Sequence, residues 1–192
     1  MKNAIAVFAS GNGTNAERIA KYFSEHPDIR VKLIVCNNKN AYVIERARSL
    51  QLPCVFVSKA ALNDSGYMTS LLKSHDISLI VLAGFLIKIP TFLTEAFNNR
   101  IVNIHPALLP KYGGKGMYGE HVHKAVIEAG EKESGITIHY VNACYDEGEI
   151  IFQAKVPVLL SDTPDSLAQK IHVLEYEHYP VIIEKLISAP CL

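Results

Sequence analysis

Short apolar runs alternate with segments of helical periodicity along the first hundred residues. Five runs predict strands, at residues 3–10, 30–37, 53–58, 77–84 and 101–106. Three segments between these strands predict helices. In the first, Ala16, Ile19, Ala20 and Phe23 have the i, i+3, i+4, i+7 spacing of one helix face, and the other two have helical patterns over 40–51 and 64–75. This alternation predicts an α/β fold with a doubly wound, mostly parallel sheet and right-handed crossovers.

The second half of the chain departs from that alternation. Runs 135–142 and 149–158 flank a Gly-containing turn, which predicts an antiparallel pair at one edge of the sheet. Residues 163–188 predict a long C-terminal helix with a stripe formed by Leu167, Ile171, Leu174 and His178. Pro180 is expected to break or kink this helix. With no repeat or linker in the sequence, residues 1–192 are expected to form a single domain.

Composition and charge narrow the classes of function. Lys plus Arg and Asp plus Glu both number 19, and no basic stripe suggests nucleic acid. No apolar run is long enough for a signal peptide or a membrane span, so no membrane partner is expected. The cysteines are widely scattered, at Cys36, Cys54, Cys144 and Cys191. They predict reduced thiols in a cytoplasmic protein, not a disulfide or zinc framework.

A polar pair interrupts the apolar strand in the stretch IVNIHPALLP. Asn103 and His105 are two residues apart, so they point to the same face of the sheet. Pro106 stops the strand, and Pro110 closes a short apolar hook. Ligands of open parallel sheets bind beyond the carboxyl ends of the strands, which makes the pair a candidate site. A hydrogen-bonded pair without a function is the alternative.

The loop after the first strand, SGNGTNAERIA, has the glycine spacing of a dinucleotide fingerprint, with Gly11, Gly13 and Ala16. That fingerprint also needs an acid roughly 20 residues further on, but the second strand ends in VCNN. A helix start with Gly13, Thr14 and Asn15 suits a single phosphate, because its free amides and dipole favour an anion. The alternative is that Thr14 or Asn15 merely caps the helix.

Two other groups carry candidate chemistry. Asp146, in the loop NACYDEGE, could reach the polar pair or could cap a turn before Gly148. His121 and His123 have the HxH spacing of metal ligands. No third ligand stands at a recognisable spacing, so no metal is expected.

Four motifs, FASGNGTN, VLAGF, NIHPALLPKY and DEGEII…AKVPV, resemble in order and spacing the phosphoribosylglycinamide formyltransferase branch of the 10-formyltetrahydrofolate-dependent formyltransferases. The NxHPxLLP block is shared with methionyl-tRNA formyltransferases and formyltetrahydrofolate hydrolases, whereas the SGNGTN loop and the single-domain length favour the first branch. The resemblance implies a Rossmann-like fold and an enzyme of purine biosynthesis. It would transfer the formyl group of its co-substrate, 10-formyltetrahydrofolate, to the amine of glycinamide ribonucleotide.

The same resemblance implies roles for individual residues. Catalysis would fall to Asn103, His105 and Asp146, and ribonucleotide binding to Gly13, Thr14, Asn15 and Glu175. Folate binding would use Leu86, Ile87, Lys88, Ile89, Asn103, Asn142, Ala143, Cys144, Tyr145 and Asp146. The implied partners are these small molecules, without a metal, and the protein would be a monomer or homodimer.

The sequence departs from the resemblance in three places, one of which is a shorter segment before Tyr67 without the basic residue expected to contact the folate tail. Ile87, followed by Lys88, stands where many relatives carry Arg. The segment KYGGKGMYGEHVH, residues 111–123, is several residues longer than in common relatives, and its glycines predict a flexible lid.

Formyl transfer passes through a tetrahedral intermediate, which gives the polar pair an expected role. Asn103 would donate a hydrogen bond to the oxyanion, and protonated His105 would add a charge-assisted one. Asp146 would favour the charged form of His105 and relay a proton to the departing folate nitrogen. Two rival classes stay open: a nicotinamide oxidoreductase domain, which lacks its acid here, and a non-catalytic nucleotide-binding module, which leaves Asp146 idle.

Overall fold

A computed structural model describes residues 3–188 as a seven-stranded sheet with helices on both faces. The strands are β1 (Asn3–Ala9), β2 (Ile29–Cys36), β3 (Cys54–Phe56), β4 (Ile77–Leu82), β5 (Ile101–His105), β6 (Glu133–Tyr140) and β7 (Ile150–Pro157). The helices are α1 (Thr14–Tyr22), α2 (Val43–Ser49), α3 (Lys59–Leu62), α4 (Ser65–Ser74), α5 (Thr91–Ala96), α6 (Glu120–Glu128) and α7 (Pro164–Ser188). Cys191 and the outer ends of the predicted domain lie outside the described residues.

The strand order is β3-β2-β1-β4-β5-β6-β7. Strands β1 to β5 pair in parallel, while β6 pairs antiparallel with both β5 and β7. The predicted doubly wound, mostly parallel sheet with an antiparallel edge is therefore confirmed. Because the strand order reverses at β1, which pairs with β2 on one side and β4 on the other, the loop that follows it opens at the switch point of the fold.

Two apolar layers explain why the inner strands are nearly continuous in hydrophobic residues. In β1, Ile5 and Val7 face one layer, while Ala6 and Phe8 face the other. The first layer is covered by α1, α2, α6 and α7, and the second by α3, α4 and α5. A central strand covered on both faces has no solvent-facing position, so its polar alternation disappears.

Helix α7 does not end at Pro180, so the expected break is wrong. The ring of Pro180 is buried inside a helix that continues to Ser188. A proline leaves the carbonyl four residues earlier without its helical donor. Here that carbonyl belongs to Tyr176, and the Nε of Arg18 donates a hydrogen bond to it at 3.2 Å. The side chain from α1 thus replaces the missing backbone donor.

Several boundaries differ from the sequence expectation. The run 53–58 forms only the three-residue strand β3, and the helix expected over 40–51 begins at Val43. Helices α3, α5 and α6 were not expected from the sequence. Helices α3 and α5 are short, and α6 begins within the glycine-containing segment 111–123. Among residues 3–188, no helix has both the length and the apolar composition needed to cross a membrane.

Candidate active site

The polar pair of β5 lies at the carboxyl end of the parallel strands, beside β6. The hook that follows the pair is fixed by Thr137 of β6, whose hydroxyl donates to the carbonyl of Ala107 at 2.7 Å and accepts from the amide of Leu109 at 3.0 Å. The buried hydroxyl of Thr137 and the two prolines thus fix the hook together. The position of His105 therefore depends on β6 as well as on β5.

A second histidine, His139, stands opposite Asn103 in the β5–β6 register. Its Nδ1 lies 2.8 Å from the carbonyl of Tyr140, which can only accept, so Nδ1 carries the proton. Its Nε2 then accepts from the Nδ2 amide of Asn103 at 3.1 Å. One amide hydrogen of Asn103 is thereby used, and the other remains to donate into the cleft.

Asp146 faces both histidines from the loop between β6 and β7. Its Oδ2 lies 3.7 Å from the Nδ1 of His105, and its Oδ1 lies 3.6 Å from the Nε2 of His139. The amide of Gly114 donates to Oδ2 at 2.9 Å. Burial raises the pKa of Asp146, but the nearby His139 imidazole and the hydrogen bond from the Gly114 amide outweigh it and lower the pKa overall. The carboxylate is charged at neutral pH.

His105 is almost fully buried, and burial decides its charge. Burial lowers the pKa of His105 below its ordinary value, although the Asp146 carboxylate and the hydrogen bond to the carbonyl of Tyr112 act to raise it. The expectation that Asp146 keeps His105 charged is therefore wrong for the ligand-free protein. The carboxylate acts in the expected direction, but desolvation is the larger effect, and the resting imidazole is mostly neutral at pH 7.

The glycine loop ends at Gly13, the residue before α1. Gly13 has a φ of 76°, and a Cβ there would approach Cγ2 of Val43 to 2.4 Å, so only glycine fits. Within residues 3–188 no side chain caps this helix, so the capping alternative for Thr14 and Asn15 is wrong. The amides of the first turn have no intrahelical acceptor, which leaves them free for an anion.

Asn15 connects the glycine loop with α7. Its Nδ2 donates to Oε2 of Glu175 at 2.9 Å, and Nδ1 of His172 lies 2.9 Å from the same oxygen. Glu175 is buried, and its charge is close enough to raise the pKa of His105. The hydrogen bond to Glu175 raises the pKa of His172, which places a partly charged imidazolium beside the loop. Glu175 therefore contacts the loop through Asn15 and lies within electrostatic range of His105.

The end of β2 confirms that the dinucleotide fingerprint is incomplete. The residues after this strand are Asn37 and Asn38, and Asn38 donates to the carbonyl of Ser10 at 3.4 Å. An amide in that place cannot accept both ribose hydroxyls as a carboxylate does. The glycine loop is therefore suited to a phosphate, not to a dinucleotide.

An apolar cleft with a polar floor opens between the segments 85–89 and 141–146. It is lined by Leu82, Phe85, Ile87, Lys88, Ile89, Asn103, His139, Val141, Asn142, Cys144, Tyr145 and Asp146. Two of the residues assigned to folate, Leu86 and Ala143, have exposed side chains that do not line it. Ile87 packs against the second apolar layer, and the ammonium of Lys88 lies 5.7 Å from the ring centre of Tyr145, across the cleft mouth.

The segment 111–123 is only partly a loop. Its last four residues form the first turn of α6, while Gly114, Gly116 and Gly119 have positive φ. His121 is exposed, whereas His123 is buried with its Nδ1 unpaired among the described residues. In residues 3–188 no three side chains of metal-binding type are grouped to hold an ion.

The structure thus brings together the three residues expected in catalysis, and it joins Asn15 to Glu175, whose charge acts on His105. His139 and Tyr112 were missed. A histidine inside the apolar alternation of GITIHYVN was a usable signal for His139, but its register against Asn103 is set only by the folded sheet. Tyr112 contributes a backbone carbonyl, for which no side-chain pattern exists.

Comparison with known proteins agrees with this geometry. A chloroplastic phosphoribosylglycinamide formyltransferase of Arabidopsis thaliana is 40% identical over 95% of this chain, which spans 64% of that protein. Phosphoribosylglycinamide formyltransferase of Bacillus subtilis is 38% identical over 95% of this chain and 94% of its own length. The crystal structure of phosphoribosylglycinamide formyltransferase from Streptococcus pneumoniae TIGR4 aligns with this chain with a TM-score of 0.86 and 36% sequence identity. The alignment covers 98% of this chain and 100% of that one. Residues 3–183 match the family described as formyl transferase, and the chain belongs to that family.

Proposed function

We propose that the protein transfers the formyl group of 10-formyltetrahydrofolate to the amine of glycinamide ribonucleotide. The observation that carries the proposal is the group of Asn103, Asp146 and His139 at the floor of the apolar cleft, with the buried His105 3.7 Å from Asp146. One substrate would enter from each side, and the two would meet at this floor. The relatives similar to this chain are named phosphoribosylglycinamide formyltransferase.

Asn103 is proposed to stabilise the oxyanion. When the amine attacks the formyl carbon, the carbonyl oxygen takes a negative charge in the tetrahedral intermediate. The second amide hydrogen of Asn103 can donate to that oxygen, while the bond to His139 holds the amide in place. A donor fixed beforehand by a buried partner needs no reorganisation when the charge develops.

His105 and Asp146 are proposed to move the proton. A neutral His105 has its Nδ1 lone pair on the side of Asp146, because Nε2 carries the proton. It can take a proton from the attacking amine, and the Asp146 carboxylate stabilises the imidazolium that forms. The amine nitrogen gains a bond to the formyl carbon, the bond from that carbon to the folate nitrogen breaks, and the proton ends on the folate nitrogen. No covalent enzyme intermediate is required.

The glycine loop and Glu175 are proposed to hold the ribonucleotide. Free amides at the start of α1, together with the imidazolium form of His172, favour a phosphate dianion. Glu175 accepts from Asn15 and His172 through one oxygen, Oε2. Its other oxygen is a suitable acceptor for the hydroxyl or amine hydrogens of the substrate.

The apolar cleft fits a flat heterocycle with a polar edge. Its walls include Phe85, Ile87 and Ile89, which offer apolar surface to the faces of a ring. The floor and the loop 141–146 offer amide and carboxylate groups to the ring edge. We propose that 10-formyltetrahydrofolate binds here as a substrate, with its formyl group toward Asn103.

The resemblance to formyltetrahydrofolate hydrolases supplies the second candidate function, since a water molecule in place of the amine would give hydrolysis. The glycine loop and the buried Glu175 favour transfer, because a hydrolase needs no phosphate site. We further propose that the protein acts in the cytoplasm as a monomer or homodimer. The scattered free thiols Cys36, Cys54 and Cys144 support a reducing compartment.

The test is to mix the protein with 10-formyltetrahydrofolate, with and without glycinamide ribonucleotide, and to follow the folate absorbance. Turnover only in the presence of both substrates is expected. Turnover with folate alone would identify a hydrolase. No turnover in either mixture, at substrate concentrations of about 1 mM where most enzymes are saturated, would leave a nucleotide-binding module.

A further inference from the structure

We propose that Tyr112 and Glu131 are positioning residues that keep the proton of His105 on Nε2, so that Nδ1, which faces Asp146, is the atom that exchanges a proton. This inference rests on the proposed function, because it assigns a role to His105 in that reaction. Neither residue touches the cleft lining, and both act through the imidazole.

The tautomer follows from the hydrogen bond to Tyr112. The Nε2 of His105 lies 2.7 Å from the backbone carbonyl of Tyr112, and a carbonyl can only accept. Nε2 therefore carries a proton in both the neutral and the charged ring. Any proton gained or lost in turnover is then exchanged at Nδ1, which faces Asp146 at 3.7 Å. A ring with its proton on Nδ1 would direct its lone pair at a carbonyl lone pair, and its Nδ1 could not accept from the amine.

The carbonyl points at His105 because the backbone of Tyr112 has an unfavoured conformation. Its φ of 56° is in the left-handed region, which non-glycine residues rarely occupy. Such a conformation persists where the surroundings hold it. The phenol hydroxyl of Tyr112 donates to Oε1 of Glu131 at 2.9 Å, and the ammonium of Lys111 donates to the same oxygen at 2.8 Å. Glu131 follows α6, so these bonds fix the start of the glycine-rich segment to the residues after α6.

The same short segment also holds the carboxylate partner. A Cβ on Gly113 would come within 2.5 Å of Cδ2 of Leu109 and 3.3 Å of Cβ of Asp146, so the backbone packs closely against the hook and the acid. The amide of Gly114 donates to Oδ2 of Asp146 at 2.9 Å. Residues 112–114 therefore set the positions of His105 and Asp146 together. A turn of the Tyr112 peptide would disturb both.

Glu131 has a second partner, which provides a discriminating control. Lys111 forms an exposed ion pair with Glu131, and such pairs contribute little to stability. If Glu131 served only this pair, removal of Lys111 and removal of Tyr112's hydroxyl would be equally harmless. If it anchors Tyr112, only the second change matters. Lys155, which forms a similar exposed pair with Glu133 at 2.9 Å, is a matched control outside the segment.

The experiment compares Tyr112→Phe, Glu131→Ala and Glu131→Gln with the controls Lys111→Met and Lys155→Ala, in the full chain. Histidine ¹⁵N chemical shifts, assigned with His105→Ala, report the tautomer without substrates. The pH of the comparison is held constant, because Asp146, His139 and Glu175 all act on the charge of His105. Kinetics with both substrates report kcat and KM separately.

We expect Tyr112→Phe and Glu131→Ala to populate the tautomer with the proton on Nδ1 and to lower kcat by about tenfold, the effect of one ordinary hydrogen bond. The KM for the ribonucleotide should stay within about twofold. Glu131→Gln retains an acceptor oxygen and should restore most of the loss, and the two lysine variants should match the parent. An unchanged tautomer in Tyr112→Phe and Glu131→Ala would overturn the inference, as would equal losses in Glu131→Gln and Glu131→Ala. A parent protein without turnover would refute the proposed function alone, because the tautomer measurement needs no turnover.

Discussion

Replacement of Asp146 by Asn tests the proposed proton transfer most directly among single substitutions. The change keeps the shape of the side chain but removes the charge that faces the Nδ1 of His105 at 3.7 Å. At an effective dielectric constant of about 20, two unit charges at this distance interact by about 4.5 kcal/mol, roughly a thousandfold in rate. The side chain is 13% exposed, so water weakens the interaction only moderately. We expect kcat to fall by about 10²–10³-fold, within the usual range for lost acid–base assistance.

The loss should appear in kcat and not in ribonucleotide affinity, because the imidazolium forms only as the amine loses its proton. Steady-state kinetics with each substrate varied in turn separate the two quantities. Glu147→Gln is the matched control, since it removes an exposed carboxylate from the next residue. His105→Ala should be similarly damaging, and the double variant should be far less than multiplicatively worse. An Asp146→Asn protein with near-normal kcat at neutral pH would remove Asp146 from the mechanism and leave it a structural residue of its loop.

Three other outcomes follow from the site. The double variant Thr14→Ala/Asn15→Ala should raise the ribonucleotide KM by about 10- to 100-fold, the range for hydrogen bonds to a charged group, with little change in the folate KM. Thr91→Ala, in the first turn of α5, is the control. Equal effects on the KM of both substrates would refute the phosphate assignment. Activity should survive exhaustive chelation, and a loss reversed by zinc would show that His121 and His123 bind a metal after all. In an NMR titration His105 should titrate below its ordinary pKa of about 6.5, because burial lowers its pKa, and lower still in Asp146→Asn. The fraction of neutral His105 increases as the pH rises through that pKa, so kcat should rise over the same pH range and then level off. A fall in kcat above pH 7 would contradict a neutral resting imidazole.

The sheet could be predicted because each of its strands is determined by the pattern of residues within its own short segment. A strand covered on both faces is recognisable from its own apolar run, as in 3–10 and 77–84, and parallel strands follow from the helices between them. The polar pair could be recognised because Asn103 and His105 interrupt the apolar run expected of a buried strand. Residues that break a local rule at a strand end are where a site is expected.

The remaining features depend on contacts between distant parts of the chain. Asn103 meets His139 through a strand register, and the continuation of α7 through Pro180 depends on Arg18 from α1. The charge of His105 was mispredicted because the family resemblance implies an acidic neighbour, whereas nothing in the sequence shows how completely the ring is buried. Desolvation is a property of the packed fold, so the sign of that pKa shift could not be read from the residues alone.

Direct transfer of the formyl group between the two substrates can be tested with a labelled carbon. The protein is mixed with 10-formyltetrahydrofolate that carries ¹³C in its formyl group, together with glycinamide ribonucleotide, and the reaction is followed by ¹³C NMR. We predict that the label appears in a formamide on the ribonucleotide, one for each tetrahydrofolate released, without free formate. Label that accumulates as formate at the same rate with or without the ribonucleotide would contradict it.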